Sequence, residues 1–199
     1  MSSRTKENIA FIGREGSGKS TQAHELAKYL NKPYISTGDI LRDLAKNDTG
    51  VWGKACRDMF EKSVYLDGQM LIEILVARLS QDDCQEGFIL DGGLRTLKET
   101  EIFKEMLVFA GRDYPLVVVH LRIPGWKSIE RLVTSQTARG RSDDTIEAVL
   151  ARLSKFQDKL VERVNIIKHT DGWQIINING QPPAKEVFIN LLNKLNYLD

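Results

Sequence analysis

Gly13-Arg14-Glu15-Gly16-Ser17-Gly18-Lys19-Ser20 fits the pattern Gly-x-x-x-x-Gly-Lys-Ser/Thr at every fixed position. The pattern marks a phosphate cradle where a strand enters it and a helix leaves it. Ile9-Ala10-Phe11-Ile12 precedes it, short, apolar and partly β-branched, as a buried strand should be. Gln22 to Leu30 follows it, rich in helix formers, with Ala23, Leu26, Ala27 and Leu30 at helical spacing. Strand, glycine loop and helix stand in the required order.

The residue types suit an anion. Glycines let the backbone turn sharply and approach a phosphate closely. Loop amides and the helix N-terminus direct partial positive charge at it. Lys19 can reach outer phosphates, and the Ser20 hydroxyl can hold Mg²⁺.

Outward from the loop, apolar runs alternate with helical patterns. Pro33-Tyr34-Ile35-Ser36 is a short strand candidate, and Thr37-Gly38-Asp39 starts a helix. Helices are expected over Gly50 to Lys62 and from Gly68, capped by Asp67, to about Ser80. Gly87 to Gly92 is a third apolar run ending in Asp91, the acid a phosphate-loop protein places on the Mg²⁺ side. Thr96 caps a helix from about Leu97 to Ala110, which Gly111 ends. Leu116 to Leu121 is the clearest strand. Lys127 to Thr134 is helical in pattern, Ser135 to Asp144 is polar, and the spacing predicts one long helix from Thr145 to about Asn165. Gly172 to Ile178 forms a last strand, and Pro182-Pro183 opens a final helix. Such alternation predicts an α/β fold with a parallel sheet, as a single domain over residues 1–199.

Composition narrows the function classes. The formal net charge of +1 gives no reason to expect a nucleic acid or membrane partner, so local basic residues must carry any anion binding. Hydrophobic content of 42% with 28% charged residues suits a globular chain rather than a disordered one. Cys56 and Cys84 have no metal-ligand or redox spacing and read as free thiols in a reducing compartment. No apolar run approaches a membrane span and Met1 to Asn8 carries no apolar signal region, so the expected location is cytoplasmic. His24, His120 and His169 form no metal or triad spacing and are expected to be structural or solvated. Trp52, Trp126 and Trp173 are expected to pack rather than stack on bases.

Three further segments carry a resemblance. Ser36-Thr37-Gly38-Asp39-Ile40-Leu41-Arg42 resembles the nucleoside-monophosphate-site signature of the adenylate kinase family. Leu90-Asp91-Gly92-Gly93-Leu94-Arg95 resembles its second signature, and Gly140-Arg141-Ser142-Asp143-Asp144 its lid. With the glycine loop, these motifs cover the chain from about residue 8 to 195 in family order. The resemblance implies a phosphate-loop NTPase-type core with a five-stranded parallel sheet. It also implies a monophosphate-binding insert near 37–66, a short lid near 131–144, and a monomer. The implied reaction is reversible phosphoryl transfer from Mg·ATP to a nucleoside monophosphate.

The roles it implies suit two polyanionic substrates, whose transfer needs positioning and fixed positive charge. ATP would be held by Gly16, Ser17, Gly18, Lys19, Ser20, Thr21, Arg131 and Gly180. The monophosphate would be held by Thr37, Arg42, Leu66, Gly92, Arg95, Glu99, Arg141 and Arg152. Lys19, Arg95, Arg131, Arg141 and Arg152 would be catalytic, and Ser20 and Asp91 would organise Mg²⁺, Asp91 through water. Asp143 and Asp144 would tether lid arginines.

The chain departs from the family at several points. Gly93-Leu94 stand where an aromatic-proline pair is usual, and Ser135 where a further lid arginine is usual, with Arg139 as its possible substitute. Tyr65-Leu66-Asp67 replaces a Leu-Val-Pro segment. Glu99 replaces the glutamine of adenylate-specific members; a carboxylate only accepts hydrogen bonds, which suits the adjacent N–H donors of guanine and disfavours a ring nitrogen lone pair of adenine. Thr37 matches the adenylate-type members. AMP is the expected acceptor. A UMP/CMP or broad-specificity kinase, and a catalytically impaired nucleotide-binding regulator, stay open beside it.

Overall fold

A computed structural model describes residues 6–62, 64, 66–134 and 146–198. In chain order the elements begin β1 (Asn8–Gly13), α1 (Lys19–Leu30), β2 (Tyr34–Ser36), α2 (Thr37–Asn47), α3 (Val51–Lys62) and α4 (Gly68–Leu79). They continue β3 (Ile89–Asp91), α5 (Leu97–Phe109), β4 (Leu116–Arg122), α6 (Gly125–Ile129) and a π-helical turn (Glu130–Thr134). The last are α7 (Ile146–Gln157), α8 (Leu160–His169), β5 (Trp173–Asn179) and α9 (Ala184–Lys194). The five strands pair in parallel in the order β2-β3-β1-β4-β5. This is the α/β fold of the phosphate-loop NTPase type that the sequence predicts.

Alternation along β1 builds two layers. Ile9 and Phe11 face α1 and α9, joining Ala23, Leu26, Val187 and Leu191. Ala10 and Ile12 face the opposite layer, with Leu71, Leu75, Phe103 and Met106 of α4 and α5. With helices on both faces, the central strands are buried on both sides and largely apolar, which is why their runs carry no period-two signal. Connecting loops gather at the strands' C-terminal ends, where open parallel sheets bind ligands.

Two expectations need correction. The long helix over 145–165 is two helices: α7 stops at Gln157, Lys159 turns left-handed at φ 54°, and α8 starts at Leu160. Apolar spacing passes through the break because both helices bury a face, so periodicity alone could not reveal it. Trp126 does not pack: it is 62% exposed, with the Lys127 ammonium over its ring, whereas Trp173 is buried and Trp52 partly so. Cys56 and Cys84 are free and buried.

Candidate active site

The glycine loop leaves β1 and closes on the neighbouring strand ends. Gly13 lies at φ +148°, and a Cβ there would sit 2.4 Å from the Leu121 carbonyl oxygen of β4, so only glycine fits this close approach. Gly18 caps α1 at φ 96°, and Ser17 is buried. Lys19 Nζ donates to the carbonyls of Gly13 at 2.9 Å and Arg14 at 3.0 Å, folding the lysine back over the loop. Arg131, on the π-helical turn, donates to Gly16 O at 3.1 Å and Gly180 O at 3.0 Å. It thereby joins the loop to the turn after β5.

Across the cleft stand the residues of the two other signatures. Ser36 caps α2 by accepting from Asp39 N, and the Thr37 hydroxyl donates to the Gly92 carbonyl. The Arg42 guanidinium lies over Gly38, half-exposed and ion-paired with Asp39. Gly92 is left-handed at φ +85°, and a Cβ there would come 2.5 Å from Arg95 Nη2, so this arginine folds over glycine backbone too. Met59, Phe60, Val64, Leu66 and Leu71 give the cleft an apolar wall.

Glu99 is 2% exposed and works as a helix cap. Its Oε2 accepts from Arg95 N at 2.9 Å and its Oε1 from the Thr96 hydroxyl at 3.1 Å, while Thr96 Oγ1 accepts from Glu99 N. This is a reciprocal cap of the capping-box kind. It sets the backbone of Arg95 directly and turns the carboxylate toward the start of α5.

Asp91 ends β3, buried, and its Oδ2 accepts from the Tyr34 hydroxyl at 2.9 Å. Burial, then the charge of Asp91, pushes the Tyr34 pKa up, so the phenol stays a donor. Ser20 and Asp91 line the same cleft. A hydroxyl and one carboxylate are hard oxygen donors, the set Mg²⁺ uses when phosphates and water complete its shell. Among the described residues no group of three or more His, Cys, Asp or Glu could hold a metal by itself.

One cleft of about 870 Å³ collects Gly16 to Thr21, Thr37, Arg42, Leu66, Asp91, Arg95, Glu99, Arg131 and Gly180. Gly92 stands behind Thr37 rather than on the lining. Arg152 falls on α7, while Arg141, Asp143, Asp144, Ser135 and Arg139 lie outside the described residues. Sequence reasoning missed Tyr34 and Arg14. The Arg14 guanidinium donates to Gln157 Oε1 at 2.8 Å and to the Ile123 carbonyl at 3.1 Å, tying the loop to the corner after α7. A tyrosine two residues before Ser36 shares its strand face, but only the β2–β3 register brings its hydroxyl to Asp91.

A parallel sheet with a lysine-bearing glycine loop on its central strand defines a phosphate-loop nucleotide protein, and Arg42 and Arg95 line the same cleft as that loop. The family model for adenylate kinase matches residues 11–171. An adenylate kinase of Leptospira biflexa serovar Patoc (strain Patoc 1 / Ames) is 33% identical over 189 residues, 95% of this chain and 100% of that protein. One of Mycobacterium sp. (strain MCS) is 37% identical over 194 residues, 94% of this chain and 98% of that protein. One of Caldicellulosiruptor bescii is 38% identical over 124 residues; the match takes in 62% of this chain and 57% of that relative's length. The chain belongs to the adenylate kinase family, whose members transfer phosphoryl groups from ATP to nucleoside monophosphates, and it is a phosphotransferase. Among the described residues no helix is long and apolar enough to cross a membrane.

Proposed function

We propose that this chain transfers the terminal phosphoryl group of Mg·ATP to AMP, reversibly, giving two molecules of ADP. One observation carries the reading: the glycine loop with Lys19 and Arg131 faces Arg42 and Arg95 across a single cleft. An oxygen of the AMP phosphate attacks the γ-phosphorus, the bond to the β–γ bridging oxygen breaks, and its electron pair stays on the departing ADP. Lys19 and the loop amides bind the donor phosphates, and Arg42 and Arg95 bring the acceptor phosphate into line. Guanidinium forks suit that bidentate task. Ser20 and, through water, Asp91 would hold Mg²⁺, which would neutralise phosphate charge when bound.

In the same reading Arg131, Arg141 and Arg152 surround the transferring group. Residues 37–66 form the acceptor-binding segment, and 131–144 form a lid whose closure excludes water. Action as a cytoplasmic monomer goes with it. Thr37 and the apolar wall with Leu66 would receive the adenine. A second acceptor range rests on Glu99, which lines the same cleft: its carboxylate accepts from Arg95 N and the Thr96 hydroxyl, and its remaining lone pairs suit N–H donors of a base, so GMP or mixed acceptors would join AMP.

Diphosphate formation measured over AMP, GMP, CMP and UMP tests the reading. AMP is expected to be the best acceptor, and Lys19→Ala to lower turnover at least 100-fold, on the scale of losing one fixed positive contact to the transferring group. Tight nucleotide binding with no turnover on any monophosphate would defeat it.

A further inference from the structure

Among the described residues the largest fully buried side chain is a charged one, Arg163 on the first turn of α8, at 0% exposure. Buried guanidinium groups persist only where their donors are used. Here Nη1 donates to the Leu94 carbonyl at 2.8 Å, and Nη2 donates to the carbonyls of Phe156 and, at 3.4 Å, Asp158. The Phe156 ring stacks on the group, with its centroid 5.1 Å from Cζ.

Both ends of this bridge matter to the site. Leu94 directly precedes Arg95 and holds φ +53°, a left-handed conformation that its Cβ disfavours. With Gly92 at φ +85°, two of the three residues before Arg95 are left-handed. Side chains from elsewhere hold this turn: Thr37 on the Gly92 carbonyl, Glu99 on the Arg95 amide, and Arg163 on the Leu94 carbonyl. At its other end Arg163 binds the α7–α8 corner, and Gln157 of that corner takes the Arg14 guanidinium of the glycine loop. The chain Leu94–Arg163–corner–Arg14 therefore ties the turn that presents Arg95 to the loop that presents Lys19.

We propose that Arg163 is a positioning residue: by fixing the Leu94 carbonyl against the α7–α8 corner, it sets the direction in which Arg95 meets the acceptor phosphate. The proposal rests on the reading of Arg95 as an acceptor-phosphate ligand. Arg163 touches no substrate and acts only through that neighbour. A lysine at this place can satisfy one carbonyl but cannot span both loops with one planar fork.

The test is a double-mutant cycle on the full chain, with ATP and AMP as substrates: Arg163→Lys, Arg163→Met, Arg95→Ala and the combinations. Arg163→Lys is expected to raise the KM for AMP about tenfold, the scale of one charged hydrogen bond, and to leave the KM for ATP within about twofold. Combined with Arg95→Ala, either change at Arg163 should add nothing to the AMP KM, because its effect passes through Arg95. If the changes multiply in the combined variant, or if the KM for ATP rises in parallel with a fall in melting temperature, Arg163 is only a core residue and the proposal fails. Arg95→Ala with an unchanged AMP KM would instead bring down the reading of the acceptor site, and the proposal with it. Should Arg163→Met not fold, the Arg163→Lys arm decides alone.

Discussion

Acidification should unfold this protein partly through one residue, His120. It lies in β4 between Ile12 of β1 and Asn177 of β5, and is 9% exposed. Burial, and then the cations Arg122, Arg163 and Arg14, push its pKa from 6.5 down to about 4, against an opposing hydrogen bond with Asn177. The unfolded chain takes up this proton near pH 6.5, whereas the folded chain refuses it until about pH 4. Between those values the unfolded state binds more protons, so stability falls as pH falls. The loss starts at pH 6.5 and levels off below 4. From the two values it amounts to about 2 kcal/mol at pH 5, rising toward about 3 kcal/mol near pH 4. With a urea slope of about 2 kcal/mol per molar, the pH 5 loss moves the unfolding midpoint by about 1 M. The assay is urea unfolding followed by circular dichroism at pH 7.5 and pH 5, for wild type and His120→Gln. Carboxylates common to both proteins cancel in the comparison. Wild type should lose about 1 M more than the variant on acidification. Midpoints that move in parallel would refute the argument that this imidazole is held neutral.

Tyr34→Phe removes only the hydroxyl on Asp91 and should weaken Mg·ATP binding about tenfold while metal-free ATP binding stays unchanged, as calorimetry with and without Mg²⁺ would record. Equal losses in both titrations would place the hydroxyl's role outside the metal site. Glu99→Ala removes both cap bonds and should cost about 1–2 kcal/mol, or about 4 °C in melting temperature. Glu99→Gln can accept from the Arg95 amide and donate to Thr96, so it should melt near wild type. A shift of the acceptor profile toward AMP in that variant would show that the carboxylate also reads the base. Gly180→Ala places a methyl 2.8 Å from the Ser17 carbonyl oxygen, so the glycine loop is expected to shift. The KM for ATP should rise at least tenfold with the AMP KM little changed, and an unaltered ATP KM would mean that the turn yields instead.

Much of this fold was legible because it is written locally. Asp67 and Thr96 cap α4 and α5 where their side chains imply. Gly13 to Ser20 could be read from eight residues, since the glycines, the lysine and the flanking strand and helix are consecutive. The segments bearing Arg42 and Arg95 were likewise visible as signatures. The corner at Asp158-Lys159 was not, because it contains neither Gly nor Pro, and α7 and α8 both continue the apolar spacing.

By itself the sequence determined the residues available: a glycine loop with its lysine, the arginines of two further signatures, the hydroxyl of Ser20 and the carboxylate of Asp91, and the strand–helix alternation that makes a parallel sheet. These follow from residue types and short spacings. Only the tertiary structure decided how the groups are aimed. The Tyr34 hydroxyl meets Asp91 across 57 residues, and Arg163 meets the Leu94 carbonyl across 69. Such contacts depend on strand register and helix packing, which no local pattern encodes. They form where buried donors and carbonyls must find partners once water is gone.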